Sequence, residues 1–147
     1  MTAAIESCMK ILFLCTGNSC RSQMAEGWGK TLLAGKAEVF SAGTNPGTVD
    51  PRAVKVMAEA GVDISGHRSK HVLTYKDTAF DLVVTVCDKA RESCPVWFGK
   101  AEKLHRSFED PPFLAQYAAS EEEALEHYRR VRDEIKEFVG GLLKGDR

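Results

Sequence analysis

The stretch that decides the fold is Lys10-Ile11-Leu12-Phe13-Leu14-Cys15-Thr16-Gly17-Asn18-Ser19-Cys20-Arg21-Ser22. Its first five residues are apolar after the leading lysine, which is typical of a strand that helices cover on both faces. The turn formers at 17–19 end this strand, and apolar side chains then recur at helical spacing over 22–34, up to Gly35. The stretch therefore predicts a buried strand, a tight loop and a helix in direct succession.

Strands and helices continue to alternate towards the carboxyl end. Hydrophobic periodicity and capping residues predict strands at 38–42, 81–86 and 102–108, and helices at 51–60, near 74–78 and at 121–142. The two prolines after Asp110 are expected to stop the fourth strand, because proline has no N–H for the ladder. Helical crossovers produce parallel strands, so we expect an α/β fold with a four-stranded parallel sheet in three α/β/α layers and flavodoxin-like winding.

Length and composition predict a single domain over residues 1–147. The 147 residues are 44% hydrophobic and 28% charged, which suffices to bury a core. The 20 basic and 21 acidic residues leave a net charge of -1, which argues against nucleic acid or a membrane surface as a partner. The longest aliphatic or aromatic run falls far short of the ~20 residues of a membrane span, and no signal-peptide pattern precedes it. We expect a cytoplasmic monomer.

The loop after the first strand has the pattern C-x5-R-S, which predicts an oxyanion site. Loop and helix N–H groups would face a tetrahedral oxyanion while Arg21 clamps two of its oxygens. The helix N-terminus and the Arg21 guanidinium would also lower the pKa of Cys15 and make its thiolate the nucleophile, with Ser22 hydrogen-bonded to that thiolate. Gly17 and Asn18 suit the positive φ values of a tight loop. The expected oxyanion-binding residues are Thr16, Gly17, Asn18, Ser19, Cys20 and Arg21.

These motifs resemble the low-molecular-weight protein tyrosine phosphatases and the arsenate reductases that share their fold. The resemblance covers nearly the whole chain and includes C-x-G-N-x-C-R-S at 15–22, Ser41-Ala42-Gly43-Thr44, Asp110-Pro111 and the terminal helix. It implies a phosphotyrosine protein phosphatase I-like fold. It also implies that Asp110 is the general acid that protonates the leaving oxygen.

Cys87 and Cys94 distinguish the two branches of this resemblance. Reduction of arsenate takes two electrons, which two thiols supply when they form a disulfide. Cys15 and Cys87 end what should be neighbouring strands, roughly 5 Å apart and within disulfide reach. Cys87 would attack a Cys15–arsenic adduct, and Cys94 would then move the disulfide outward. The three cysteines resemble those of thioredoxin-coupled arsenate reductases, which implies arsenate as substrate, thioredoxin as electron donor and no bound cofactor.

The relay sets a geometric condition on the segment between Cys87 and Cys94. A helix over 88–94 would separate the two residues by about 10 Å, beyond the disulfide limit of roughly 7 Å. We therefore expect this segment to be a loop, or to unwind on oxidation.

Metal binding is not expected. Some proteins of the resembled family hold potassium through residues that match Asn18, Glu26 and Ser41, together with an acid. Here Lys70 stands at the position of that acid, and its ammonium would take the place of the ion. Of the four histidines only His67 and His71 have the i,i+4 spacing of a metal pair, and they lack a helical pattern and an accompanying acid. All four are expected at the surface: His67, His71, His105 and His127.

Three alternatives remain open at this stage. The first is a tyrosine phosphatase in which Cys87 and Cys94 are incidental, and the second is a redox-sensing binding module without turnover. The third is an arsenate reductase that uses a low-molecular-weight thiol, against which the presence of Cys94 argues. Pro112 and Phe113 replace the aromatic pair with which phosphatases hold a phenyl ring, which favours a small inorganic oxyanion.

Overall fold

The computed structural model describes residues 9–88 and 99–144, which fold around four parallel strands. The strands are β1 (Met9–Cys15), β2 (Ala37–Gly43), β3 (Leu82–Thr85) and β4 (Glu102–His105), in the order β2-β1-β3-β4. The predicted parallel sheet is therefore confirmed. The strand order reverses at β1, so the carboxyl ends of β1 and β3 lie side by side at the point where open α/β sheets bind ligands.

Among residues 9–88 and 99–144, four named α-helices cover the sheet in the predicted α/β architecture. They are α1 (Arg21–Leu32), α2 (Pro51–Glu59), α3 (Pro111–Ala115) and α4 (Glu121–Gly141), and 3₁₀ helices lie at Val72–Tyr75 and Leu142–Lys144. Helix α4 contacts each of the other three α-helices.

Two helices begin as their sequences predict. Asp50 accepts a hydrogen bond from the backbone N–H of Arg52 at the start of α2, where proline occupies the first helical position. Ser120 accepts one from the backbone N–H of Glu123 at the start of α4. These local bonds satisfy N–H groups that have no partner within the helix.

Two predictions around the fourth strand are wrong in detail. Strand β4 ends at His105 and not at 108, although the N–H of Phe108 still donates to the carbonyl of Val86 at 3.3 Å. The prolines at 111 and 112 open α3, because a first helical turn needs no N–H from its residues. Residues 106–110 therefore run past the strand ends and bring Asp110 to them.

The core lies on both faces of β1. Its residues 11–14 are completely buried, as the continuous apolar run predicts. Trp28 of α1 is also buried and donates its Nε1–H to the carbonyl of Arg132 in α4, 3.1 Å away. Within 9–88 and 99–144, no helix combines the length and hydropathy of a membrane span.

Candidate active site

The loop between β1 and α1 lines a pocket of about 230 Å³ at the carboxyl edge of the sheet. The positive end of the α1 dipole and its unpaired N–H groups point to this edge, which favours an anion. Asn18, a predicted binding residue, is fully buried and does not line the pocket. The lining residues are Cys15, Thr16, Gly17, Ser19, Cys20, Arg21, Asp110 and Pro112.

Asn18 holds the loop in shape from within the protein. Its φ of 48° is left-handed, as predicted, whereas Gly17 does not adopt such a conformation. Its Nδ2 donates to the hydroxyls of Ser22 and Ser41, both at 2.9 Å, and its Oδ1 accepts from the backbone N–H of Lys70 at 2.8 Å. One side chain thus ties the loop to α1, β2 and the segment after α2.

The predicted hydrogen bond between Ser22 and the Cys15 thiolate stays a prediction, because Cys15 is a thiol in this structure. The Ser22 hydroxyl is fully buried and accepts from the Asn18 amide. The Asn18 amide needs this acceptor, because an unpaired buried donor costs about 1–3 kcal/mol. Ser22 therefore supports the loop through Asn18.

Arg21 connects the loop to the stretch that carries Asp110. Its Nη1 donates to the carbonyl of Phe108 at 2.8 Å, and its Nη2 lies 3.6 Å from Asp110 Oδ1. The first bond fixes the guanidinium, which is 14% exposed, at the pocket. The structure thereby places the predicted oxyanion clamp and the predicted general acid side by side.

The Cys15 and Cys87 thiols are in direct contact. Their Sγ atoms lie 3.1 Å apart, and the Thr16 hydroxyl lies 3.5 Å from Cys87 Sγ. A disulfide would bring the sulfurs to about 2.05 Å, so the two residues are present as thiols. Both are 5% exposed. The prediction that neighbouring strands bring these residues within disulfide reach is confirmed.

The pKa of Cys15 is raised, contrary to the sequence-based prediction. The hydrogen bond with Cys87 raises it most and burial raises it further, and these effects exceed the lowering by Arg21 and by the Thr16 N–H. Sequence reasoning placed Cys87 beside Cys15 but considered only the effect of Arg21 and the helix on the pKa of Cys15, and not that of the second thiol. Burial likewise raises the pKa of Cys20, with a further contribution from Asp50, so Cys20 remains a thiol in the pocket wall.

A charged cluster lies behind the loop, centred on Glu26. Glu26 is 5% exposed and accepts a hydrogen bond from the Ser41 hydroxyl, which in turn accepts from Asn18. The ammonium groups of Lys30 and Lys70 lie 2.5 Å and 3.7 Å from its carboxylate. Burial raises the pKa of Glu26, but Lys30, Ser41 and Lys70 together more than offset that effect and lower it.

These residues do not fit a potassium ion. Lys70 approaches Glu26 as predicted, so two ammonium groups already balance the carboxylate. Asn18 Oδ1 already accepts hydrogen bonds from the Lys70 N–H and the Gln23 side chain. A cation at this point would face like charges and an occupied oxygen.

Comparison with known proteins identifies the family. The family described as low molecular weight phosphotyrosine protein phosphatase matches residues 10–145. The chain belongs to this family.

Within the low molecular weight phosphotyrosine protein phosphatase family, the similar proteins include bacterial arsenate reductases. The arsenate reductase of Halalkalibacterium halodurans is 48% identical over 125 residues, which cover 85% of this chain and 88% of that protein. The arsenate reductase of Bacillus subtilis is 46% identical over 133 residues, or 88% and 94% of the two chains.

Solved structures of family members agree with the fold. An arsenate reductase in the phosphate binding state has a TM-score of 0.79 at 37% identity and covers 92% of this chain and 97% of its own. A low molecular weight protein tyrosine phosphatase from T. tengcongensis has a TM-score of 0.73 at 30% identity, with 92% and 98% covered. The phosphatase I-like fold predicted from the motifs is confirmed.

Sequence reasoning missed three residues that shape this family member's site. Gln23 Nε2 donates to the carbonyl of Asn18 at 3.0 Å and to that of Arg68 at 3.0 Å. Its Oε1 lies 2.9 Å from His67 Nδ1, and the His67 side chain is only 12% exposed, so the surface prediction for His67 is wrong. The only sequence signal for Gln23 was a polar residue on the apolar side of α1.

Gly43 is the third missed residue. A Cβ there would lie 2.5 Å from the carbonyl oxygen of Thr16 and 2.9 Å from the N–H nitrogen of Asn18. The end of β2 can therefore pack directly beneath the loop only without a side chain.

Cys94 lies outside the described residues, as does the predicted conformation of the segment up to it. Its place in the relay remains a prediction.

Proposed function

We propose that this chain reduces arsenate to arsenite through a relay of Cys15, Cys87 and Cys94, with thioredoxin as the electron donor. The observation that carries the proposal is the 3.1 Å contact between Cys15 and Cys87 at the oxyanion pocket. Hydrolysis of a phosphate ester has no use for this second thiol. The relatives named arsenate reductases support arsenate as the substrate.

The first step binds and captures the oxyanion. Arsenate is tetrahedral and anionic, and it fits the loop N–H groups and the Arg21 guanidinium at the pocket. Cys15 attacks arsenic as a thiolate, which forms a sulfur–arsenic bond, and one arsenate oxygen leaves as water after Asp110 protonates it. Because the pKa of Cys15 is raised, its proton must leave before the attack, and we place this proton on an oxygen of the bound arsenate as the Cys15–Cys87 hydrogen bond breaks.

The second step transfers two electrons to arsenic. Cys87 attacks the Cys15 sulfur as a thiolate, a sulfur–sulfur bond forms, and the sulfur–arsenic bond breaks with its electron pair on arsenic. Arsenic(V) becomes arsenic(III) and leaves as arsenite, while two thiols become one disulfide. Cys87 needs little travel for this attack, because its sulfur already touches Cys15.

The third step regenerates Cys15. Cys94 attacks Cys87, which releases the Cys15 thiolate and leaves a Cys87–Cys94 disulfide. The dithiol of thioredoxin reduces that disulfide and is itself oxidised. We place the reaction in the cytoplasm, where a reducing environment maintains the thiols.

The test follows NADPH oxidation with thioredoxin, thioredoxin reductase and arsenate. We expect arsenate-dependent turnover for the wild-type protein and its loss in Cys94→Ser, while the matched control Cys8→Ser retains it. Equal turnover in Cys94→Ser would remove Cys94 from the relay. Turnover with a low-molecular-weight thiol but none with thioredoxin would show that the electron donor is that thiol and not thioredoxin.

Phosphate ester hydrolysis is the second candidate function, favoured by Asp110 beside Arg21 at the pocket. Hydrolysis of p-nitrophenyl phosphate that survives Cys87→Ser, with no arsenate turnover in the wild type, would establish the phosphatase instead.

A further inference from the structure

His105 fixes the chain on both sides of Cys87. Its Nδ1 lies 2.8 Å from the Thr85 hydroxyl, two residues before Cys87, and its Nε2 lies 2.9 Å from Asp88 Oδ1, one residue after it. The imidazole stands at the last position of β4, paired with Thr85 at the end of β3. One side chain therefore spans the short turn that presents the Cys87 thiol.

The hydrogen-bond roles follow from the chemistry of the partners. The Asp88 carboxylate only accepts, so Nε2 carries the hydrogen and donates to it. In the neutral imidazole Nδ1 then accepts from the Thr85 hydroxyl. Both ring nitrogens of His105 have partners, which fixes the ring's tautomer and orientation.

Burial differs between the two partners of His105. Thr85 is 5% exposed and belongs to the sheet, whereas the Asp88 side chain is 76% exposed. An exposed pair adds little to the stability of the fold. The His105–Asp88 bond therefore joins an exposed side chain to one that is bonded to the sheet. Its main consequence is the position of the backbone between Thr85 and Asp88, which includes Cys87.

We infer that His105 is a positioning residue that holds the Cys87 sulfur against Cys15 through its bonds to Thr85 and Asp88. This inference rests on the proposed function for its catalytic meaning. Attack on the Cys15 sulfur requires alignment of the reacting atoms, and a displacement of about 1 Å costs on the order of a hundredfold in rate. His105 acts without touching the oxyanion, because it does not line the pocket.

The test compares His105→Ala, Asp88→Ala and the double variant with the wild type. We expect kcat for arsenate to fall about tenfold in each single variant, with KM changed less than about twofold, because substrate binding does not involve the pair. The double variant should lose no more than His105→Ala alone, because His105→Ala already breaks the bond to Asp88. His105→Gln, whose amide retains a donor for Asp88, should recover most of the loss.

A second readout needs no arsenate. In the fully reduced protein, we expect iodoacetamide to alkylate Cys87 several times faster in His105→Ala and Asp88→Ala than in the wild type, as measured by peptide mass spectrometry. His127→Ala is the matched control: its ring contacts Arg130 on α4, and its loss should leave both readouts unchanged. Asp88→Ala also guards against misfolding, because its side chain is exposed.

The two readouts separate failure of the inference from failure of the proposed function. Wild-type turnover together with unchanged kcat and unchanged Cys87 alkylation in the variants would overturn the role of His105. Absence of arsenate turnover in the wild type would overturn the proposed function, and the alkylation rates would still decide whether His105 positions Cys87. A rise in KM with kcat unchanged would also contradict the inference.

Discussion

The two thiols of the site are held in different ways. The loop that carries Cys15 is fixed by the fully buried Asn18, whose amide reaches Ser22 and Ser41. The turn that carries Cys87 is bounded on its far side by Asp88, which is 76% exposed. The difference agrees with the two tasks in the proposed relay, because an oxyanion cradle gains from rigid preorganised donors while a transferring thiol must change partners.

The largest expected effect comes from the rigid side, in Arg21→Lys. Lysine cannot clamp two oxygens while bonding the Phe108 carbonyl, so we expect kcat/KM for arsenate to fall about 10²- to 10³-fold. Arg52→Lys, which changes an exposed pair with Glu121, should leave the rate within about twofold. A loss below tenfold in Arg21→Lys would mean that the guanidinium is not the clamp.

Asn18→Ala tests the rigidity of the loop directly. The substitution removes the hydrogen bonds that Asn18 makes with the Ser41 hydroxyl and the Lys70 N–H inside the protein. We therefore expect the free energy of unfolding to fall by about 2–4 kcal/mol. Asp88→Ala, on the exposed side, should change it by less than about 0.5 kcal/mol. Urea denaturation measures the loss of stability in both variants. Equal losses would show that the Cys15 loop and the Cys87 turn are held equally rigidly.

Cys87→Ala tests the coupling between the regions. It removes the largest cause of the raised Cys15 pKa and leaves Arg21 and the Thr16 N–H to act, so we expect the Cys15 pKa to fall. Thiolate absorbance near 240 nm, followed against pH, reports the change, with Cys8→Ser as the control. An unchanged titration would show that the thiol contact does not govern the protonation of Cys15.

Glu26→Gln gives the smallest effect and a pH signature. The folded protein lowers the pKa of Glu26, so its carboxylate stabilises the fold above the unfolded value of about 4.3 and loses that contribution as pH falls below it. We expect the variant to be less stable than the wild type by about 1–2 kcal/mol at pH 7. The difference should shrink below about pH 4.

The matched control for that prediction is Glu38→Gln at an exposed position, which should change the free energy of unfolding at pH 7 by less than about 0.5 kcal/mol. A difference between Glu26→Gln and the wild type that stays constant from pH 3 to pH 7 would contradict a role for the charge on Glu26.

The sequence predicted the strands and helix starts that depend on neighbouring residues in the chain. The continuous apolar run of β1 predicts a buried strand. Ser120 predicts the start of α4, because its side chain can cap the helix. The neighbouring ends of β1 and β3 followed from the order of the elements alone, which is why the Cys15–Cys87 contact was predictable.

Contacts between distant residues account for the predictions that failed. The pKa of Cys15 depends on a thiol 72 positions away, and the burial of His67 depends on Gln23, 44 positions away. The order of the elements brings Cys15 and Cys87 together but does not show that one thiol raises the pKa of the other, and periodicity gives no sign of the contact between Gln23 and His67. The acceptor role of Ser22 towards Asn18 could not be predicted either, because it depends on the folded loop, in which the buried Asn18 amide needs a partner.

A single turnover of Cys94→Ser with arsenate and no thioredoxin tests the central claim most directly. The variant retains the two thiols in contact but has no Cys94 thiol to resolve the product. We expect one equivalent of arsenite per chain and, by mass spectrometry, a disulfide joining Cys15 to Cys87. Unchanged arsenate with both thiols reduced, or arsenite formed without that disulfide, would contradict the relay.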